Sequence, residues 1–115
     1  MKSFSAVFPK VLERLKGCTA CVCYNDEVAH EMTNLAFSQE VQIPDVFSVT
    51  SIDNSELARL NAVPLTSVSH PMETLGYKVA ESMLRLIENP DANVTYEFPV
   101  TIEPRASVKR IAPAQ

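Results

Sequence analysis

The fold is decided by the stretch Thr19-Ala20-Cys21-Val22-Cys23-Tyr24-Asn25-Asp26-Glu27, in which an apolar run stops at three polar residues and a helical pattern begins. The apolar part, residues 19–24, is predicted to be a strand. Open α/β sheets bind their ligands at the carboxyl ends of strands, so the amide and two carboxylates lie where a ligand site is expected. The arrangement recurs where a second apolar strand, 47–52, runs into Asp53-Asn54-Ser55. Both strand ends offer hydrogen-bonding groups suited to a small polyol.

Helical and extended patterns alternate along the rest of the chain. Apolar residues spaced i, i+3, i+4, i+7, i+8 and i+11 predict an amphipathic first helix that Gly17 ends. A helix between two strands favours parallel neighbours with a right-handed crossover. The apolar residues of the first helix are Phe4, Val7, Phe8, Val11, Leu12 and Leu15; the later predictions are a helix at 26–39, a short helix at 55–60, an extended segment at 65–69, a helix from Pro71 to about Glu88, and extended pieces at 94–102 and 106–111.

Composition and charge limit the possible functions. The 115 residues are 46% apolar and 21% charged, which is ordinary for one soluble domain. A formal net charge of −4 argues against direct DNA binding, because DNA-binding surfaces carry positive charge that neutralises phosphates. No apolar run approaches the roughly 20 residues that a bilayer span needs, and the amino terminus lacks a signal-peptide pattern. We therefore expect a cytoplasmic protein without a membrane segment.

Two interpretations of Asn25 and Asp26 remain open from the sequence. In the functional one, Asn25 points into a crevice and uses both halves of its amide to bind ligand hydroxyls. In the structural one, either residue accepts from the free backbone amides at the start of the second helix. Both hold together if one residue caps and the other binds, and we expect Asp26 to cap the helix, Asn25 to bind the ligand and Glu27 to be solvated in the first turn.

Asp53 and the two histidines are the other candidate polar residues. An ionised Asp53 must be solvated, paired or ligand-bound, because unpaired burial is costly, so it is either a ligand contact or a turn residue before Asn54. His30 follows Asp26 by four positions on a helix, which favours an exposed ion pair. His70 either lines the crevice or serves as a hinge or packing residue. A sugar-processing enzyme with Asp53 and His70 as acid and base is one alternative function, although the chain has no Gly-flanked serine nucleophile.

The cysteines at positions 18, 21 and 23 are predicted to be buried thiols. A structural zinc site usually has its paired ligands on a turn, not in a strand. A thioredoxin-type pair opens a helix, whereas Cys18-Thr19-Ala20-Cys21 precedes a strand. Two glycines are too few for a phosphate-cradling loop. No metal or cofactor is therefore expected.

Five groups of residues, in order along nearly the whole chain, resemble the carboxyl-terminal part of the effector-binding domain of the LacI/GalR family. The strings at 24–27 and 65–76 are most similar to arabinose repressors, which join a GntR-type winged-helix DNA reader to this sensor domain. The five groups are Cys23-Tyr24-Asn25-Asp26-Glu27; Ile43-Pro44 followed by Phe47-Ser48-Val49; Asp53; Pro64-Leu65-Thr66-Ser67-Val68; and His70-Pro71 with Leu75-Gly76.

The resemblance implies an α/β fold of the periplasmic-binding-protein-like (type I) kind, with a mainly parallel sheet flanked by helices and a sugar held between two lobes. Residues 1–68 would form the carboxyl-terminal lobe, 69–93 a crossover and a helix of the amino-terminal lobe, and 94–115 the final strands and tail. The whole chain, 1–115, would be a partial sensor domain. This agrees with a pattern that begins on a helix whose preceding strand is missing.

The resemblance also implies roles for individual residues. Asn25 and Asp53 match the family's cleft positions that recognise ligand hydroxyls, and Tyr24 and His70 are expected to contact the ligand beside them. The family's glycine and aromatic residue before the cleft aspartate are replaced here by Ser51-Ile52, which leaves the identity of the sugar open. The residues that match the family's dimerisation surface, alongside a plain core-packing role, are Met32, Leu35 and Leu60.

The function that these features predict is the sugar-sensing part of a bacterial transcriptional repressor. Binding of arabinose or a related sugar would change operator affinity by favouring one arrangement of the lobes. The protein would be a homodimer and no enzyme, and would contact DNA only through a domain outside this sequence. A periplasmic-type solute-binding protein is the second alternative, opposed by the free cysteines and the missing export signal.

Overall fold

Helices and strands alternate in the predicted order in the computed structural model, which describes residues 4–113 and, for Phe4 and Ser5, the backbone alone. The elements are α1 (Phe4–Arg14), β1 (Ala20–Val22), α2 (Asp26–Ser38), β2 (Ser48–Ile52), α3 (Glu56–Leu60), β3 (Thr66–Ser69), α4 (Met72–Glu88) and β4 (Thr101–Glu103). The strands predicted at 19–24, 47–52 and 65–69 are present but one to three residues shorter than predicted, whereas only the end of the extended piece predicted at 94–102 lies in a strand, β4.

The strands form one sheet in the order β1-β2-β3-β4. Cys21 pairs with Val49 across β1 and β2, Thr50 pairs with Thr66 across β2 and β3, and both pairings are parallel. Parallel neighbours need a crossover connection, which α2 and α3 provide. The mainly parallel α/β architecture is therefore confirmed, and the carboxyl ends of β1, β2 and β3 lie at one edge of the sheet.

The chain divides into two compact units. The first unit comprises residues up to 69 together with those from 102 onward, and the second comprises 70–101. The first unit contains α1 to α3, β1 to β3 and most of β4, whereas the second contains α4 and the segment after it.

A hydrophobic core fills the first unit. Met32 of α2 is 1% exposed, and Val49 of β2 and Leu65, just before β3, are fully buried. The alternation of side chains along a strand and the helical period along α2 bring these residues to one face of the sheet. Their burial excludes water from the space between the helices and the strands.

The amphipathic face predicted for α1 is confirmed for its described side chains. Phe8 is 2% exposed, and Leu12 together with Leu15 beyond the helix packs against the core while partly buried. The side chain of Phe4 lies outside the described residues. Gly17, with a positive φ of 84°, follows the helix as the sequence predicts, because glycine adopts that conformation without strain.

In the second unit, α4 is amphipathic but has no buried residue. Among its apolar side chains Tyr77 is 73% exposed and Ile87 is 70% exposed. Its partly covered side borders an open groove of about 350 Å³ whose wall includes Tyr96. Lys78 Nζ lies 5.1 Å from the centre of the Tyr96 ring, and Arg85 donates to the Tyr96 hydroxyl at 3.1 Å. Within residues 4–113, neither this helix nor any other is long and apolar enough to span a bilayer.

The extended piece predicted at 106–111 is not a strand. Instead, Ser107 joins the amino-terminal ends of β2 and β3: its hydroxyl donates to the Val49 carbonyl at 2.5 Å and accepts from the Thr66 N–H at 2.9 Å. Its own carbonyl accepts from the Val49 N–H at 2.8 Å. Hydrogen bonds of this one residue, and not the pairing of a further strand, therefore connect it to β2 and β3.

Candidate functional site

Asn25 and Asp53 lie on one open groove at the carboxyl ends of β1 and β2. Asn25 is half-buried and Asp53 is exposed, so both have surface to offer. The groove has a volume of about 390 Å³ and is lined by Val22, Cys23, Tyr24, Asn25, Ile52 and Asp53. It occupies the edge of the sheet at which the sequence predicts a ligand site.

Asn25 is the N-cap of α2. Its backbone is extended (φ −155°), and its side-chain oxygen accepts from the Val28 N–H at 3.0 Å. The expectation that Asp26 caps this helix is therefore wrong. Because the helix uses Oδ1 of Asn25, its Nδ2 group is the part of the amide that can donate to a ligand.

Asp26 is instead a buried hub, with 1% of its surface exposed. Its carboxylate accepts from the hydroxyls of Ser51 at 2.5 Å and Ser67 at 2.7 Å. It also accepts from the backbone N–H of Ser55 at 2.6 Å and from that residue's hydroxyl at 2.7 Å. Ser55 precedes α3 as the sequence predicts, but its hydroxyl binds Asp26 and does not cap that helix. Four donors from three later segments thus converge on one carboxylate.

The pKa of Asp26 is lowered from its ordinary value. Burial acts in the opposite direction, because desolvation disfavours the charged form. The hydrogen bonds from Ser51, from the backbone of Ser55, and from the Ser67 and Ser55 hydroxyls outweigh burial, because they stabilise the ionised carboxylate. Asp26 is therefore negatively charged at neutral pH.

Asp53 and Asn54 form the turn between β2 and α3 with left-handed backbone, at φ 111° and 50°. Non-glycine residues rarely adopt this region, and Asp and Asn are among those that tolerate it best. The Asp53 N–H donates to the Val68 carbonyl at 2.9 Å, and the Asn54 N–H donates to Ser67 Oγ at 3.0 Å. Arg105 donates to the side-chain oxygen of Asn54 at 2.6 Å. Asp53 is thus a turn residue that also lines the groove.

Tyr24 and His70 occupy different units. Tyr24 is 84% exposed and lines the groove beside Asn25. His70 is half-buried and is the first residue of the second unit, directly after β3. Tyr24 therefore shares a surface with the two cleft candidates, and a ligand contact by His70 stays a prediction.

His30 does not form the predicted ion pair with Asp26, whose carboxylate is engaged by serines. Its Nδ1 lies 2.7 Å from the side-chain oxygen of Asn61, and its Nε2 lies 3.2 Å from the amide nitrogen of Asn34. An amide oxygen only accepts, so the pairing assigns the proton to Nδ1 and leaves Nε2 to accept from Asn34. Asn61 is 5% exposed and also binds Thr33. This cluster ties α2 to the loop after α3.

The three cysteines differ in burial. Cys23 is buried and Cys21 half-buried, but Cys18 is exposed, so the prediction of a buried thiol is wrong for Cys18. The Cys23 sulfur lies 3.6 Å from the Met32 sulfur. Burial, reinforced by the neighbouring Cys21, raises the pKa of Cys23 to about 12. Among residues 4–113 no three His, Cys, Asp or Glu side chains are grouped as a metal site.

The residues assigned to a dimer surface differ in exposure as well. Met32 is 1% exposed and belongs to the core, which confirms its packing role and leaves almost no surface for a partner. Leu35 is half-buried, and Leu60 is 66% exposed. An interface role for Leu35 and Leu60 stays a prediction.

The Asp26 hub is the part of the site that sequence reasoning missed. One signal was available: serines at 51 and 67 lie within predicted strands, and polar groups buried in a sheet need hydrogen-bond partners. The partner was not identifiable from spacing, because Ser51, Ser55 and Ser67 lie 25 to 41 residues after Asp26.

Comparison with known proteins assigns the chain to a family. Residues 4–108 match the periplasmic binding protein-like domain. The arabinose metabolism transcriptional repressor of Geobacillus stearothermophilus is 36% identical over 70 residues, which is 61% of this chain and 19% of the repressor. The HTH-type transcriptional repressor PurR of Vibrio atlanticus is 30% identical over 103 residues, which is 89% of this chain and 31% of that protein.

A solved structure gives the same result for the fold. The crystal structure of a LacI-family transcriptional regulator from Burkhoderia phymatum superposes with a TM-score of 0.75 at 28% identity. The match covers 92% of this chain and 38% of that one. The chain therefore spans about a fifth to two fifths of the proteins it matches here.

Proposed function

Because the chain belongs to the periplasmic binding protein-like domain family and has the sequence of a LacI/GalR-type effector-binding domain, we propose that it is the sugar-sensing part of a bacterial transcriptional repressor. A sugar, with arabinose as the first candidate, binds at the groove and changes operator affinity. The DNA reader belongs to another part of the protein. The named relatives are transcriptional repressors, and sensing of a sugar requires no bond to break.

The observation that carries this proposal is the placement of Asn25 and Asp53 on the same groove. The Nδ2 group of Asn25 donates to a ligand hydroxyl, and the side-chain oxygens of Asp53 accept from ligand hydroxyls. A sugar presents neighbouring hydroxyls that both donate and accept, so it satisfies both side chains. Tyr24, exposed beside them, supplies an aromatic face against the C–H side of the sugar ring.

The groove is open on one side, and an open groove buries only part of a ligand. We propose that residues 1–68 form one lobe of a two-lobed sensor, that 69–93 cross to the other lobe and contribute a helix there, and that 94–115 return. Sugar binding between the lobes favours the closed arrangement only to the extent that the sugar binds it more tightly. This difference in affinity is what shifts operator binding in a cytoplasmic repressor dimer, with Leu35 and Leu60 at the dimer surface.

Replacement of Asp53 tests the proposal in the intact protein that carries this chain. Isothermal titration with L-arabinose, D-ribose and D-glucose measures affinity, and an operator-release assay measures the response. We expect Asp53→Ala to weaken binding of the effector sugar by about tenfold or more, because at least one charge-assisted hydrogen bond is lost. Operator binding without sugar should be unchanged.

Asp91→Ala is the matched control, because Asp91 is an exposed aspartate that belongs to the second unit and is not among the residues that line the groove. It should bind sugar like the wild type. An Asp53→Ala protein with wild-type affinity and release would show that Asp53 is a turn residue alone. A wild-type protein that binds none of the three sugars and is not released by them would refute the effector assignment.

A further inference from the structure

We infer that Asp26 is a positioning residue for the ligand-binding turn: its carboxylate holds the backbone of Asp53-Asn54-Ser55 in the conformation that presents Asp53 to the groove. The inference rests on the proposed function, since it assigns Asp26 to the same site. Asp26 itself is 1% exposed, so it acts through other residues and does not touch the ligand.

Three consecutive backbone N–H groups of this turn are held by hydrogen bonds. The Asp53 N–H donates to the Val68 carbonyl at 2.9 Å, the Asn54 N–H to Ser67 Oγ at 3.0 Å, and the Ser55 N–H to Asp26 Oδ2 at 2.6 Å. Only the first joins two backbone groups. The third ends on Asp26 directly, and the second ends on a hydroxyl that Asp26 orients.

The orientation of Ser67 follows from the charge of Asp26. A hydroxyl has one hydrogen, and an ionised carboxylate only accepts, so the Ser67 hydrogen points at Asp26 Oδ1 over 2.7 Å. The lone pairs of Ser67 Oγ are then free to accept from the Asn54 N–H. Without the carboxylate, the hydroxyl has no fixed direction and the tether on Asn54 weakens.

The turn needs such tethers because its backbone is unfavourable. A non-glycine residue rarely adopts left-handed conformation, and it keeps that conformation where surrounding contacts hold it in place. Asp53 and Asn54 both adopt it. Arg105 holds Asn54 from its other side through its side-chain oxygen at 2.6 Å. The hub and Arg105 together fix the direction in which the Asp53 carboxylate leaves the backbone.

Hydrogen exchange of the Asn54 amide in the intact protein tests the inference without any ligand. In Asp26→Asn, where an amide replaces the carboxylate, we expect this N–H to exchange at least about tenfold faster than in the wild type. The Lys109 N–H, which donates to Ser48 Oγ at 3.0 Å at the start of β2, is the internal reference and should not change. Equal Asn54 exchange in variant and wild type would overturn the inference.

Affinity for L-arabinose separates positioning from plain stability. Asp26→Asn should lose about tenfold or more in affinity at a temperature where circular dichroism shows it folded. Added to Asp53→Ala, it should cause no further loss, because the turn no longer carries the group to be positioned. Ser107→Ala is the matched control: Ser107 is a fully buried serine whose two hydroxyl bonds join the amino ends of β2 and β3. It should lower the melting temperature and leave affinity unchanged.

Ser67→Ala serves where Asp26→Asn fails to fold, because it removes only the link between Asp26 and Asn54. It should raise Asn54 exchange and lower affinity as Asp26→Asn does. If the wild type binds no sugar, the sugar assignment fails, and the exchange measurement still decides whether Asp26 holds the turn. A Ser67→Ala or Asp26→Asn protein that loses melting temperature alone, like Ser107→Ala, would refute the positioning role.

Discussion

The two units of the chain use the same local patterns with different results. In the first unit, amphipathic helices pack against a parallel sheet, and polar residues join into buried clusters around Asp26 and Asn61. In the second, α4 is equally amphipathic, yet none of its residues is buried within the described chain. Apolar residues at helical spacing therefore predict an amphipathic helix, whereas the stability of that helix comes from the surface that covers its apolar side.

The largest expected effect comes from replacing one leucine in each unit, which tests this comparison. Leu65 is fully buried in the first unit, and Leu84 is 65% exposed in the second. Leu65→Ala should lower the free energy of unfolding of the 115-residue chain by about 3 kcal/mol, because it removes contacts and leaves a cavity. Leu84→Ala should change it by less than about 0.5 kcal/mol. Urea denaturation measures both, and equal losses would contradict the contrast between the units.

A smaller effect is expected from Asp26→Asn, about 2 kcal/mol at pH 7, because a buried, hydrogen-bonded charge is lost. Its pKa is lowered in the folded state, so its contribution is complete above the ordinary carboxyl pKa of roughly 3.9. The contribution is lost as the pH falls below that value towards the folded pKa. The difference in melting temperature between wild type and variant should therefore be constant near neutrality and narrow in acid.

Asp91→Asn in the second unit is the control for this measurement, since Asp91 is exposed. Asp91→Asn should change the free energy of unfolding by less than about 0.5 kcal/mol both near neutrality and in acid. A gap between wild type and Asp26→Asn that widens in acid would show that the hydrogen bonds from the serines do not stabilise the ionised form of Asp26.

The smallest effect on stability is expected from alkylation of the Cys18 thiol, because this residue is exposed. All three cysteines lie in the first unit, so thiol labelling reports on that unit alone. Iodoacetamide should modify Cys18 at the rate of a free thiol and Cys23 at least about 100-fold more slowly, because burial limits access and raises the pKa of Cys23 to about 12. Mass spectrometry of the peptides gives both rates. Similar rates for the two thiols would mean that the core of the first unit opens readily.

The order of elements and the parallel sheet were predictable, because local patterns and the family resemblance both point to them. The strand ends at Asn25 and Asp53 were located correctly for the same reason, since parallel strands bring their carboxyl ends to one edge. The side chains at those ends were less predictable. Asn25 and Asp26 are adjacent, and which of them caps α2 depends on where the backbone turns after β1.

The partners of buried polar residues were beyond reach of the sequence. His30 has Asp26 at helical spacing, yet it pairs with Asn61, 31 residues later. Asp26 in turn binds serines from β2, β3 and the turn between β2 and α3. Such pairings are long-range in sequence and depend on exact placement of the sheet, whereas spacing rules describe neighbours within one helix or strand.

The left-handed backbone at positions 53 and 54 also limits which substitutions can change the ligand specificity of this groove. Glycine, asparagine and aspartate are among the few residues that tolerate this conformation well, so few side chains can replace those at positions 53 and 54. An exchange of Asp53 for Asn swaps an acceptor pair for one acceptor and one donor, and glycine removes both. A wider change of specificity has to come from neighbours on ordinary backbone, of which Tyr24 is the most exposed. Substitutions that change specificity are therefore expected at the edge of the groove, while positions 53 and 54 keep residues that tolerate left-handed backbone.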